Sequence, residues 1–186
     1  MAVAWAAGLR GLPLVSVELA AIAVMLAGDR TYSIQADRWL RGAEGERAVG
    51  AICAELEAGG WHALHDISLG RGNVDHVLVG PGGIFTLETK SHRGRISVDR
   101  IDPKMLKQAY AQKKLLERIT GCDVQPLLVF SRAYLVGPRP PVRRNGVTIL
   151  PARLLQHYFS RRRPVLDPAE AVEVHSRLAT ALSASN

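Results

Sequence analysis

Asp75, Glu88 and Lys90 lie in the stretch NVDHVLVGPGGIFTLETK, residues 73–90, where two apolar runs flank a Gly-Pro-Gly-Gly turn. Two carboxylates and a lysine can hold a hard cation and act on a phosphate if the chain brings them together. Strand residues two apart share a face. Asp75, Val77 and Val79 therefore share one face of the first strand, and Ile84, Thr86, Glu88 and Lys90 share one face of the second. A symmetric turn centred between Pro81 and Gly82 sets Val79 opposite Ile84, Val77 opposite Thr86, and Asp75 opposite Glu88; a bulge would shift this register. Opposed Cβ atoms lie about 4.5–5.5 Å apart. Two like charges at about 5 Å repel by roughly 3 kcal/mol at an effective dielectric near 20. Lys90, one step along the same face, offsets part of that repulsion. A divalent cation, its octahedron completed by water, offsets the rest. The plain alternative is a solvated hairpin face. The apolar surroundings HVLVGPGGIFTLE weigh against it, because unpaired buried carboxylates are costly.

The elements that must carry this hairpin follow from periodicity. Val49, Ile52, Cys53 and Leu56 recur at i, i+3, i+4 and i+7, the apolar face of an amphipathic helix that Gly59-Gly60 ends. WHALHDISL reads as a strand, GRGN as a loop, and GRISV as a further short strand after the hairpin. DPKMLKQAYAQKKLLERITG is a second helix, with Pro103 in its first turn and Gly121 closing it. VQPLLVFS and NGVTIL are strands, and PARLLQHYF and PAEAVEVHSRLATAL are C-terminal helices. This order predicts an α/β domain in which helices flank a mixed central sheet.

The Asp75…Glu88-x-Lys90 arrangement resembles the PD-(D/E)xK nuclease superfamily, and the wording is closer to its nuclease-related domain (NERD) branch. The resemblance spans roughly residues 40–150. It takes in a G-x-x-G-E helix start (Gly42 to Glu46), the V-D-H hairpin, and Gln108 in LKQAYAQKK. It implies a restriction-endonuclease-like core and a Mg²⁺- or Mn²⁺-dependent hydrolysis of phosphodiesters, with DNA the expected substrate. Asp75 and Glu88 would ligate the metal, with the backbone carbonyl of Thr89 as a third ligand. Lys90 would position or deprotonate the attacking water and neutralise developing charge. Glu46 would bind or orient the metal through water, and Gln108 would orient the scaffold or a phosphate. Gln112, four residues on, shares the helix face with Gln108. A carboxylate such as Glu46 is also favoured in a first helical turn for its own sake. The superfamily's proline before the aspartate is Val74 here, which does not touch the chemistry. His76 points to the face opposite Asp75 and reads as a packed or surface histidine. His92 and Arg93 follow Lys90 as candidates for a phosphate or as plain loop residues.

The remaining composition sets bounds. The chain has 186 residues, 47% hydrophobic and 22% charged, enough for one domain plus an extension without disulfides or structural zinc. Cys53 and Cys122 form no CxxC pair, and the six histidines show no HExxH spacing. The formal charge of +7 favours an anionic partner, nucleic acid first. Arg139, Arg143, Arg144 and Arg161 to Arg163 form two loop-like clusters, and Lys104, Lys107, Lys113 and Lys114 decorate the second helix. No base-reading motif is present, so contact with the phosphate backbone is expected. We divide the chain into an apolar helical extension (1–40), the nuclease-related domain (41–160), and a basic segment with a packed helix (161–186). Residues 11–28 are apolar apart from Glu18 and Ser16, which makes them a marginal membrane span. A cytoplasmic protein with a packed N-terminal helix is the first reading, and a membrane-anchored one the second. For function, an active nuclease stands against a catalytically inactive nucleic-acid-binding or scaffold module of the same fold.

Overall fold

The computed structural model describes residues 23–25, 35, 37, 39–68 and 73–183. Met1–Arg41 and Gly42–Asn186 form separate compact units. In the first, residues 23–25 are helical and Arg41 pairs with Asp37 at 3.6 Å. Most of the expected apolar extension, including the greater part of residues 11–28, lies outside the described residues. Among the described residues, no helix is long and apolar enough to cross a membrane.

The second unit is built on a six-stranded mixed sheet flanked by helices. The helix α1 (residues 39–56, of which 42–56 belong to this unit) passes into a 3-10 turn at Glu57–Gly59, and Gly60 ends it at φ 79°. Strands β1 (His62–Ser68), β2 (Asn73–Gly80) and β3 (Gly83–Ser97) follow, then α2 (Pro103–Thr120) and β4 (Val124–Val136). Strands β5 (Val142–Arg144) and β6 (Val147–Pro151) and helices α3 (Leu155–Ser160) and α4 (Pro168–Ser183) complete it. The sheet order is β1-β2-β3-β4-β6-β5. β1, β2 and β3 are antiparallel neighbours, β3–β4 and β4–β6 are parallel, and β5 is antiparallel to β6.

Alternation along the strands divides the core between the two faces. Leu78, Phe85, Leu87, Leu127 and Val129 meet Val49, Cys53 and Leu56 of α1 and Leu155 and Phe159 of α3. Val77, Val79 and Ile84 meet Leu116 of α2 and Val174 and Leu178 of α4. Leu128, Phe130 and Ile149 meet Leu106 and Ala109 of α2. Helix α2 is delimited as expected: Asp102 accepts from the Lys104 amide at 2.9 Å, Pro103 opens the first turn, and Gly121 closes at φ 70°.

Two elements differ from the sequence reading. GRISV is no separate strand but the end of a 15-residue β3, which runs beside β4 with a register shift between Lys90 and Arg93. His92 and Arg93 therefore sit on a strand rather than in a loop. Arg143 and Arg144 are not loop residues either but form β5. Asn145 (φ 48°) and Gly146 (φ 78°) supply the two left-handed residues that a two-residue hairpin needs.

Candidate active site

The hairpin pairs as its turn dictates. Val79 faces Ile84, Val77 faces Thr86, and the ladder ends at His76 facing Leu87. Asp75 and Glu88, the next pair, are not joined through the backbone. Instead the Thr89 amide donates to Asp75 Oδ2 at 2.6 Å. A carboxylate thus replaces a main-chain acceptor where the two strands part, beside a strand that continues along β4.

Glu88 is only 2% exposed, and both its oxygens are engaged. Lys90 Nζ donates to Oε1 at 2.5 Å, and Gln112 Nε2 donates to Oε2 at 2.5 Å. Lys90 also donates to Gln108 Oε1 at 3.3 Å. Gln112 Nε2 reaches the Asn73 carbonyl at 2.9 Å, so α2 is tied to the first residue of β2 as well as to β3. Leu106, Ala109, Gln112 and Leu116 form the buried stripe of α2, so Gln112 holds a core position and Gln108 an exposed one. Sequence reasoning gave Gln108 the role and left Gln112 as its neighbour. Both touch the cluster, and Gln112 is the buried partner of Glu88. The signal that could have found it is a glutamine in an otherwise apolar stripe.

Glu46 on α1 makes no hydrogen bond or ion pair with the cluster but acts electrostatically on Asp75, and Gly45 beside it fixes how closely the helix lies on the sheet. A Cβ at residue 45 would come 2.7 Å from Ser131 Oγ and 2.9 Å from Ser91 Cβ, so glycine lets the first turns of α1 lie against β3 and β4. Gly42 meets nothing within 4 Å, so only the second glycine of the G-x-x-G-E start is sterically required. Glu44 faces solvent and pairs with Arg132 at 2.5 Å, holding the same turn to β4. Glu46 lines a cleft of about 320 Å³ together with His65, Asp66 and His76.

The electrostatics show a deficit of positive charge. Burial and then Glu88 push the Asp75 carboxyl up to about 7, against the Thr89 hydrogen bond that favours its ionised form. Burial, Asp66 and Glu88 raise Glu46 above the ordinary carboxylate range, with Lys90 acting the other way. Three carboxylates therefore share one lysine. Buried Gln112 Oε1 and Thr89 Oγ1 find no hydrogen-bond partner among the described residues. Unpaired acceptors beside crowded carboxylates fit a hydrated divalent cation, which supplies positive charge and water protons together. Among the described residues, no three His, Cys, Asp or Glu side chains converge as a chelating group. The carboxylates nearest these unpaired acceptors are those of Asp75 and Glu88.

His76 faces away from Asp75, as expected. It is 3% exposed, its Nδ1 lies 2.8 Å from His65 Nδ1, and burial lowers it to about 4. Two of the α2 lysines are neutralised rather than free: Lys113 pairs with Glu117 at 2.6 Å and Asp123 at 2.9 Å, and Lys114 pairs with Glu117 at 2.9 Å. Lys104 and Lys107 are exposed.

The family model described as nuclease-related domain matches residues 41–131. An uncharacterized protein of Bacillus anthracis is 26% identical over 84 residues, covering 42% of this chain and 39% of its own. The crystal structure of a repair endonuclease from Pyrococcus abyssi aligns at a TM-score of 0.30 and 20% identity, covering 59% of this chain and 39% of that one. The chain therefore spans about two fifths of the length of either relative.

Proposed function

We propose that this chain, whose residues 41–131 match the nuclease-related domain family model, is a metal-dependent nuclease that hydrolyses phosphodiester bonds in DNA at the Asp75–Glu88–Lys90 cluster. The observation that carries the proposal is the crowding of negative charge: half-buried Asp75 and buried Glu88, with one lysine paired to Glu88, and Asp75 pushed up to about 7. Asp75 and Glu88 would hold Mg²⁺ or Mn²⁺, with the Thr89 carbonyl as a further ligand and Glu46 acting through water. Such an ion lowers the pKa of bound water and draws charge from a phosphoryl oxygen.

The chain's own residues do the rest. The Thr89 amide fixes one oxygen of Asp75. Gln112 fixes one oxygen of Glu88 from the buried stripe of α2, which leaves its orientation to packing rather than to solvent. Lys90, on the same strand face as Glu88, carries the ammonium that orients the attacking water and balances charge on the phosphorane. Gln108, exposed beside Lys90, is placed to meet a phosphate oxygen. We assign residues 41–160 to this catalytic domain.

One observation favours the second reading, a binding module without turnover. Glu88 is already held on both oxygens by Lys90 and Gln112, a network satisfied within the protein itself. A cleavage panel separates the two: plasmid, linear and single-stranded DNA and RNA, each with Mg²⁺, with Mn²⁺ and with EDTA. The nuclease reading expects metal-dependent cutting of DNA that Lys90→Ala abolishes. Undiminished cutting by Lys90→Ala would sink the site assignment, and salt-sensitive binding without any cutting would establish the binding module.

A further inference from the structure

We infer that two adjoining clefts, which share Pro141 and Tyr158, form a track for a single-stranded polynucleotide, gripped at its phosphates by arginines. The choice of polymer rests on the nuclease reading; the track itself rests on different residues. The first cleft, about 500 Å³, is lined by Arg143, Arg162, Gln125 and Thr148 beside Lys113 and Asp123. Its carboxylate is taken, because Asp123 accepts from Lys113 at 2.9 Å. The second cleft, about 570 Å³, is lined by Arg139, Arg153, Arg161, His157 and Tyr134 and by no acidic residue. Pro141 and Tyr158 line both, so the two adjoin.

The ion pairs among the described residues engage Arg41, Lys90, Lys113, Lys114 and Arg132, and none of the five cleft arginines. Arg139, Arg143, Arg153 and Arg161 are exposed. Arg162 is held in place: it stacks over Tyr158 at 4.2 Å and Phe85 at 5.3 Å and donates to Gln125 Oε1 at 3.1 Å. Burial, and then the charge of Arg143, lower its pKa, so the two guanidinium groups face a common space that an anion would relieve. The segment carrying Arg161 to Arg163 is also fixed, since the Val165 and Leu166 amides donate to the Pro81 carbonyl at 2.7 and 3.1 Å. It is thereby anchored to the turn of the catalytic hairpin.

A single strand fits better than a duplex because of Tyr134. Its ring is 57% exposed, with the guanidinium groups of Arg153 and Arg95 at 5.5 and 5.7 Å. Both guanidinium groups lie over the ring, so an unpaired base would stack there by displacing one of them, which is then free to meet the phosphate beside that base. Stacked duplex bases expose no free face.

The test is fluorescence anisotropy of labelled oligothymidine, of about 20 nucleotides, and its duplex against the full chain in EDTA. The parent should bind the single strand more tightly than the duplex. Arg143→Ala with Arg153→Ala should weaken binding at least about tenfold near 0.1 M salt and flatten the log–log salt slope by about 1.4, at ~0.7 per phosphate lost. Tyr134→Ser should weaken the single strand and not the duplex. Arg177→Ala, an exposed arginine on α4 outside both clefts, should leave binding unchanged. Unchanged affinity and slope in the double variant, an equal loss in Arg177→Ala, or a preference for duplex each overturns the track. Competition by thymidine monophosphate or inorganic phosphate as effective, per phosphate, as the oligomer would reduce it to a small-anion pocket and overturn it too. Loss of cutting in Asp75→Asn with no effect of the arginine changes overturns the track alone. Arginine-dependent binding by a parent that never cuts overturns the nuclease reading alone.

Discussion

Replacing Asp75 by asparagine should stabilise the metal-free protein at alkaline pH while abolishing its activity. The Thr89 amide that donates to Asp75 Oδ2 at 2.6 Å can donate equally to an asparagine oxygen, so the geometry survives. What disappears is the cost of ionising a carboxyl raised from 3.8 to about 7. Its folded value lies above its unfolded one. The fold is therefore favoured in full below about pH 3.8, and that contribution is lost as pH rises to about 7. The change corresponds to about 4 kcal/mol against the ionised fold. The parent's own pH curve hides this loss. His76, lowered from 6.5 to about 4, contributes stability above pH 6.5 that is lost as pH falls to about 4, an opposite slope over much of the same range. The difference between variant and parent cancels His76. It should grow from near zero around pH 4 to about 4 kcal/mol at pH 8, or about 10 °C in Tm for a chain of this size. Urea unfolding in EDTA at several pH values measures it. Mg²⁺ should then stabilise the parent by mass action and leave the variant unmoved. A difference independent of pH, or a variant less stable than the parent at pH 8, would refute the reasoning.

Other changes separate roles that sit close together. Gly45→Ala forces a Cβ to within 2.7 Å of Ser131 Oγ, so it should cost about 1–3 kcal/mol in thermal unfolding and lower cleavage by shifting Glu46. Gly42→Ala meets open space and should gain up to about 1 kcal/mol with activity intact. Gln112→Leu strips the amide from Glu88 Oε2 and the Asn73 carbonyl; it should cost about 1–3 kcal/mol and depress cleavage more than Gln108→Ala, measured as kcat on one DNA substrate. His76→Gln keeps a partner for His65 but cannot ionise, so unfolding below pH 6.5 should lose an acid penalty of about 3 kcal/mol seen in the parent.

Much of the site could be read because it depends on the two-residue period of strands. The Pro81-Gly82 turn and that period suffice to align the hairpin as far as His76 and Leu87, with Asp75 and Glu88 next in line. The apolar run around Glu88 marks a buried carboxylate. What escaped depends on tertiary partners. Ser91 to Arg95 carry no apolar alternation, so the continuation of β3 along β4 could not be seen. Asn145-Gly146 is a strong hairpin signal, but the arginines beside it read as a basic loop and β5 was missed. Gln108 and Gln112 share a helix face, and only the packing of α2 against Asn73 and Glu88 buries the second. Lys113 is neutralised first by Glu117, an i,i+4 partner open to sequence reading, and its second partner Asp123, ten residues along the chain, needs the fold.

The most direct test of the central claim is the rate of DNA hydrolysis titrated with Mg²⁺ for the parent and Asp75→Asn side by side. The account predicts no cleavage in EDTA, a rate that rises and saturates with Mg²⁺ for the parent, and no rate at any Mg²⁺ concentration for a variant that is folded and more stable. Cleavage by the parent in EDTA, or a saturating rate in Asp75→Asn, would contradict it.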